Sequence, residues 1–92
     1  MISKLKKIPS PNSLIMFEAS ARHLSFTRAA VELNLSQAAI SKQIANLEQR
    51  LGHGLFIRQH RSLRLSQAGK LLYQAVASGL GQIADTVEQL NS

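Results

Sequence analysis

The most constraining part of this chain is residues 36–52, where Ile40, Ile44, Leu47 and Leu51 recur at steps of four, three and four. That spacing gathers all four on one side of an α-helix and leaves Ala38, Lys42, Ala45, Asn46 and Gln49 opposite. Ser36 stands where a hydroxyl accepts from the first unpaired N–H groups, and Gly52 where a helix ends cheaply in the left-handed conformation. Just upstream, Phe26–Leu33 reads as a second helix capped by Ser25, with Asn34 tolerating the sharp turn between the two. The small pair Ala29 and Ala30 lets a neighbouring helix come close. Two helices joined by so short a turn form a helix-turn-helix.

The flanks extend this unit. Pro9 and Pro11 interrupt any early helix, and Asn12 or Ser13 serves as N-cap for a first helix carrying Leu14, Phe17, Ala21 and Leu24. Beyond Gly54, residues 55–58 and 63–65 are short strand candidates around a tip at residues 59–62. A two-stranded hairpin is marginal alone, so it must lean on the helices through Leu55 and Leu65. Ser66 then caps a helix of about 25 residues on which Gly69, Leu72, Val76, Gly79, Ile83, Thr86 and Leu90 alternate three and four apart. Roughly 36 Å of helix against a radius of gyration of about 12 Å predicts a seam shared with a second subunit. The contacts expected there are Leu72, Val76, Ile83, Val87 and Leu90; a helix folded wholly over its own core is the alternative. Gly79 and Gly81 mark either a close crossing or a bend. The expected fold is mainly α, a winged helix-turn-helix with a two-stranded wing and a long C-terminal linker helix. Residues 1–11 form a basic arm, 12–65 the winged unit and 66–92 the linker helix.

Charge is distributed unevenly along these segments. The net +6 comprises +3 in residues 1–11 (Lys4, Lys6, Lys7) and +4 in residues 37–64, where five cations face Glu48 alone. Residues 12–36 cancel and residues 65–92 carry −1. Such clustering points to an anionic partner, nucleic acid first. Aromatics at 4% are too few for the stacking platforms of single-strand and RNA binders, so duplex DNA fits better. Absence of cysteine excludes a disulfide framework and a Cys-type zinc site. His23, His53 and His60 lack metal-ligand spacing, and Gly79-Leu80-Gly81 lacks the rest of a phosphate-loop fingerprint; no cofactor, metal or enzymatic activity is expected. No apolar run approaches the ~20 residues of a membrane span, and no apolar stretch follows the N-terminal lysines as in a secretory signal. A cytoplasmic protein with no membrane partner is expected.

The run Ala29-Ala30-x-x-Leu33-x-Leu35-Ser36-Gln37-Ala38-Ala39-Ile40-Ser41-x-Gln43-Ile44-x-x-Leu47-Glu48-x-x-Leu51-Gly52-x-x-Leu55-Phe56-x-Arg58 resembles the LysR-type transcriptional regulators, as does Leu65-Ser66-x-Ala68-Gly69. Residues 17–30 are further similar to the subgroup around the glycine-cleavage-system activator and the β-lactamase regulator. The resemblance covers nearly the whole chain from about residue 9. It implies a DNA-binding unit that dimerises through its linker helix and reads a palindromic, A·T-rich operator. A C-terminal effector-sensing domain completes such regulators, which assemble as tetramers at full length. That domain is absent from this sequence, so an excised DNA-binding part is expected.

In a helix-turn-helix the second helix enters the major groove N-terminus first. Gln37 can pair with adenine, Ala38 or Ala39 can meet a thymine methyl, Ser41 can bond either kind of base, and Lys42 can reach guanine or phosphate. Among these, Gln37, Ala38, Ser41 and Lys42 are the expected base readers. The family faces those four positions toward the groove, though arginine is common where Lys42 stands, and a point charge reads guanine less well than a fork. Arg58 matches the position that the family points into the minor groove, with Arg61 beside it. Ser25, Thr27, Arg28, Ser36 and Arg64 are the expected phosphate contacts. The plainer readings are that Ser25 and Ser36 are caps, that Gln43 and Glu48 are structural, and that the basic hairpin is a solvated edge. A sequence-tolerant nucleoid protein, or a protein-interaction module using the long helix, remains the alternative function.

Overall fold

A computed structural model of the chain describes residues 2–92; Met1 of the N-terminal arm lies outside them. Its elements are α1 (Ile2–Leu5), α2 (Pro11–His23), α3 (Phe26–Leu33), α4 (Gln37–Leu51), β1 (Phe56–Gln59), β2 (Ser62–Leu65) and α5 (Gln67–Leu90). Local chemistry sets most boundaries. Ser10, Ser25, Ser36 and Ser66 each accept at Oγ from the N–H three residues on, at 3.2, 3.1, 3.1 and 3.0 Å. Each such cap is worth about 1 kcal/mol. Leu24, Asn34 and Gly52 close α2, α3 and α4 in the left-handed conformation, with φ of 49, 60 and 71°.

Two expectations for the N-terminal region need correction. Pro11 opens α2 rather than interrupting it, and Ser10, not Asn12 or Ser13, is its cap. A proline at the first helical position lacks only an N–H that would be unpaired there, and its φ is already helical. Leu24 does not join the apolar stripe, because the left-handed cap turns it outward and leaves it exposed. Upstream of Pro9, Ile2–Leu5 forms a helical turn.

Helices α2, α3 and α4 enclose the core with the wing root. Phe17, Ile40, Ile44 and Leu55 are fully buried, with Ala21, Ala30 and Leu47 beside them. Phe56 sets the hairpin against the helices, its ring edge-to-face with Phe17 (centroids 5.6 Å, 63°) and Phe26 (5.2 Å, 81°). Such pairs add to area burial and supply the support that a lone hairpin lacks. The strands pair antiparallel with Phe56 opposite Leu65 and Gln59 opposite Ser62. Gln59 and Ser62 are therefore strand ends, and the tip is His60-Arg61 alone, Arg61 adopting φ 63°. Leu55 precedes the strand instead of starting it.

The long helix divides its apolar residues between two tasks. Gly69 and Val76 are buried, and Leu72, Tyr73 and Leu80 pack against the core. Ile83, Val87 and Leu90 are exposed. Val76 is thus withdrawn from the expected subunit contacts, because α2 and the wing root bring the core up to the first half of α5 and bury it there. At Gly69 an added Cβ would lie 2.1 Å from the Leu55 carbonyl oxygen, so the helix start and the wing root touch backbone to backbone. An added Cβ at Gly79 or Gly81 meets nothing within 4 Å, and neither marks a close crossing within the chain. Among the described residues, no helix is long and apolar enough to cross a membrane.

Candidate nucleic-acid interface

Three elements converge on one open, polar cleft of about 460 Å³. The α3 start contributes Ser25, Phe26 and Thr27, the first turns of α4 contribute Gln37 and Ser41, and the wing contributes Arg58, Gln59, Arg61, Ser62 and Leu63. Two helix N-termini, each with N–H groups lacking intrahelical partners, thus meet two guanidinium groups with no carboxylate among the lining residues. This combination suits an anion. Arg58 is placed by stacking, its Cζ 5.1 Å from the centroid of the Phe26 ring. Phe26 is itself fixed edge-on by Phe56, so the position of the arginine is set by the core beneath it.

Of the residues expected from sequence, Ser25, Thr27, Gln37, Ser41, Arg58 and Arg61 come together in this cleft. Ala38 and Lys42 are exposed on the outer side of α4, outside its lining. Ser36 is exposed, its Oγ engaged by the Ala39 N–H. Arg28 borders a separate hollow with His23, Thr27, Val31 and Glu32. Arg64 lies opposite Ile57, whereas Arg58 lies opposite Leu63, so the pleat sends Arg64 to the other face of the hairpin.

Several residues outside the expected DNA contacts organise the surroundings. Glu48, expected only to be structural, accepts at Oε2 from the Leu55 and Phe56 N–H groups at 2.7 and 3.2 Å, tying α4 to the wing root. Arg50 donates to the Lys6 and Ile8 carbonyls at 3.5 and 3.3 Å and draws the basic arm against the end of α4. Arg22 donates to Glu18 (2.8 and 3.0 Å) and Glu32 (2.7 Å), and Glu32 also meets His23. The hydrogen bond from Arg22, reinforced by His23, holds the Glu32 carboxyl down at about 2, and Glu18 and Glu32 raise Arg22 above its ordinary value. This network joins α2 to α3 across their turn. Its (i, i+4) Glu18–Arg22 spacing was the one sequence signal for it. Among the described residues, no three His, Asp or Glu side chains are grouped so as to hold a metal ion.

Comparison with known proteins adds relatives to this geometry. The family model for bacterial regulatory helix-turn-helix proteins of the lysR family matches residues 11–70. The chain is 50% identical over 78 residues to the HTH-type transcriptional activator AmpR of Providencia stuartii, covering 85% of this chain and 27% of that protein. It is 44% identical over 87 residues to the glycine cleavage system transcriptional activator of Escherichia coli K12, covering 95% of this chain and 28% of that protein. The chain therefore spans little more than a quarter of the length of these curated relatives. Among solved structures, the DNA-binding domain of BenM in complex with catB site 1 DNA superposes with a TM-score of 0.83 at 31% identity, covering 90% of this chain and 92% of that one. The CbnR DNA-binding domain–DNA complex gives 0.78 at 28% identity, covering 90% and 95%.

Proposed function

The chain belongs to the LysR family of bacterial regulatory helix-turn-helix proteins, and we propose that it binds duplex DNA at specific sites through the cleft and the outer face of α4, as the DNA-binding part of a transcription regulator. The convergence of two helix N-termini with Arg58 and Arg61 on one surface carries this reading. In it, Gln37, Ala38, Ser41 and Lys42 meet base edges in the major groove. Arg58 and Arg61 reach into an adjacent, narrow minor groove, which favours an A·T-rich flank. Ser25, Thr27, Arg28, Ser36 and Arg64 neutralise or cap phosphates and fix the register. Ile83, Val87 and Leu90, with half-buried Leu72, supply the contact with a second copy, whose two-fold symmetry favours a palindromic operator. Effector sensing and a tetramer belong to the full-length regulator, a cytoplasmic protein in this reading, with residues 1–11, 12–65 and 66–92 as its arm, winged unit and linker helix.

Titration of labelled duplexes tests it, comparing a palindromic A·T-rich site with a random duplex at several salt concentrations. Affinity should fall steeply with salt, since each phosphate neutralised releases about one counterion, and the palindrome should be preferred by at least about a thousandfold. A flat salt response refutes duplex binding, and a preference under about tenfold indicates a sequence-tolerant nucleoid protein instead.

A further inference from the structure

Beyond the contact residues, we propose that Glu48 is a positioning residue for DNA recognition, setting where the wing, and Arg58 with it, stands relative to the reading turns of α4. This rests on the DNA-binding function proposed above. Glu48 follows Ser41 by about two helical turns on α4 and touches none of the cleft. Its Oε2 accepts from two consecutive backbone N–H groups, those of Leu55 and Phe56, at 2.7 and 3.2 Å. Phe56 begins β1, and Arg58, two residues on, shares its side of the strand. One carboxylate oxygen therefore fixes the origin of the strand that carries the arginine, and the rigid helix carries that origin to Gln37 and Ser41.

The same junction is held from the other side. Ser66 donates its N–H to the Leu55 carbonyl at 2.9 Å and its Oγ–H to the Gly54 carbonyl at 2.6 Å. Residues 54–56 are thus bonded to both the α4 carboxylate and the α5 cap. The Ser66 bonds attach the wing to α5; among the described residues, those of Glu48 alone attach it by hydrogen bonds to the helix that reads bases. Hydrogen bonds to a charged acceptor are the stronger kind, and the two N–H groups are left without that partner if the carboxylate is removed.

A double-mutant cycle on the full chain tests this, using duplex affinity at fixed salt and thermal unfolding of each variant. Glu48→Ala should weaken specific binding about tenfold, within the usual coupling of residues that act together, but less than about twofold once Arg58 is already alanine. Glu48→Asp, which keeps the charge but withdraws it by one methylene, should show the same coupling and serves if Glu48→Ala does not fold. Glu48→Gln should restore binding to within about threefold, since its amide oxygen can accept both N–H groups. Equal losses in the wild-type and Arg58→Ala backgrounds overturn the proposal, because a merely structural role lowers stability without depending on Arg58. If Arg58→Ala alone has no effect, Arg58 lies outside the interface and the proposal is overturned, whereas loss of the underlying function shows separately as a flat salt response of the wild type.

Discussion

Arg58 has a guanidinium stacked over Phe26 and a place in the cleft, while Lys42 projects exposed from α4. Replacing either by alanine should lower specific DNA affinity by about 1–3 kcal/mol; affinities within twofold of wild type would remove that residue from the interface. The two losses should differ in kind. Arg58→Ala should weaken the preference for an A·T-rich flank, and Lys42→Ala the discrimination at a single base or the salt slope. Ser20 is fully buried in α2 with its hydroxyl unpaired, and such a group pays for desolvation without return. Ser20→Ala should therefore stabilise the fold by roughly 1 kcal/mol, or about 4–8 °C in Tm for a domain of this size. An unchanged or lowered Tm would show that the hydroxyl is satisfied.

Whole elements were legible in the sequence where their signals are local. Ser25, Ser36 and Ser66 each read as a cap, Asn34 and Gly52 as left-handed stops, and the Ile40–Ile44–Leu47 stripe as the buried side of α4. The six residues gathered in the cleft follow from the same local pattern and the family resemblance. Features depending on contacts distant in sequence were not legible: the reach of Glu48 to the wing root, Arg50 to the arm, and Val76 into the core. Periodicity states which side of α5 is apolar but not which portion a neighbouring element covers. The contact between Gly69 and Leu55 belongs here too. Gly69→Ala forces a Cβ against backbone, which cannot swing aside as a side chain can, and should destabilise the fold by at least about 1–3 kcal/mol, with Tm falling accordingly; a Tm equal to wild type would mean the junction gives freely. Between α2 and α3, the Glu32 carboxyl titrates at about 2 rather than its ordinary 4.5. A lowered folded-state value favours the ionised fold, so this contribution is complete above the ordinary value and is lost as pH falls toward 2. Solvent screening keeps it small. Tm should drop less between about pH 5 and pH 2 in Glu32→Gln than in wild type, and parallel profiles would discount the network.

For the whole molecule, the exposed Ile83, Val87 and Leu90 predict self-association. Light scattering at micromolar concentration should give a dimer mass, and Ile83→Arg should give a monomer that still unfolds cooperatively, since Ile83 lies outside the core. A wild-type monomer would move the contact elsewhere. The molecule extends over 44 × 31 × 21 Å, and the 24 residues of α5 make a helix of roughly 36 Å. Because one continuous rod is buried at its start and free at its end, and its capping serine is bonded to the wing root, the two reading heads of a dimer would be mounted on stiff axles. Their separation would then be dictated by helix geometry and not by a pliable tether. A palindrome lengthened by half a turn of the double helix would present its second half on the wrong side, and such a dimer could hold only one half-site or would have to twist the DNA to reach both.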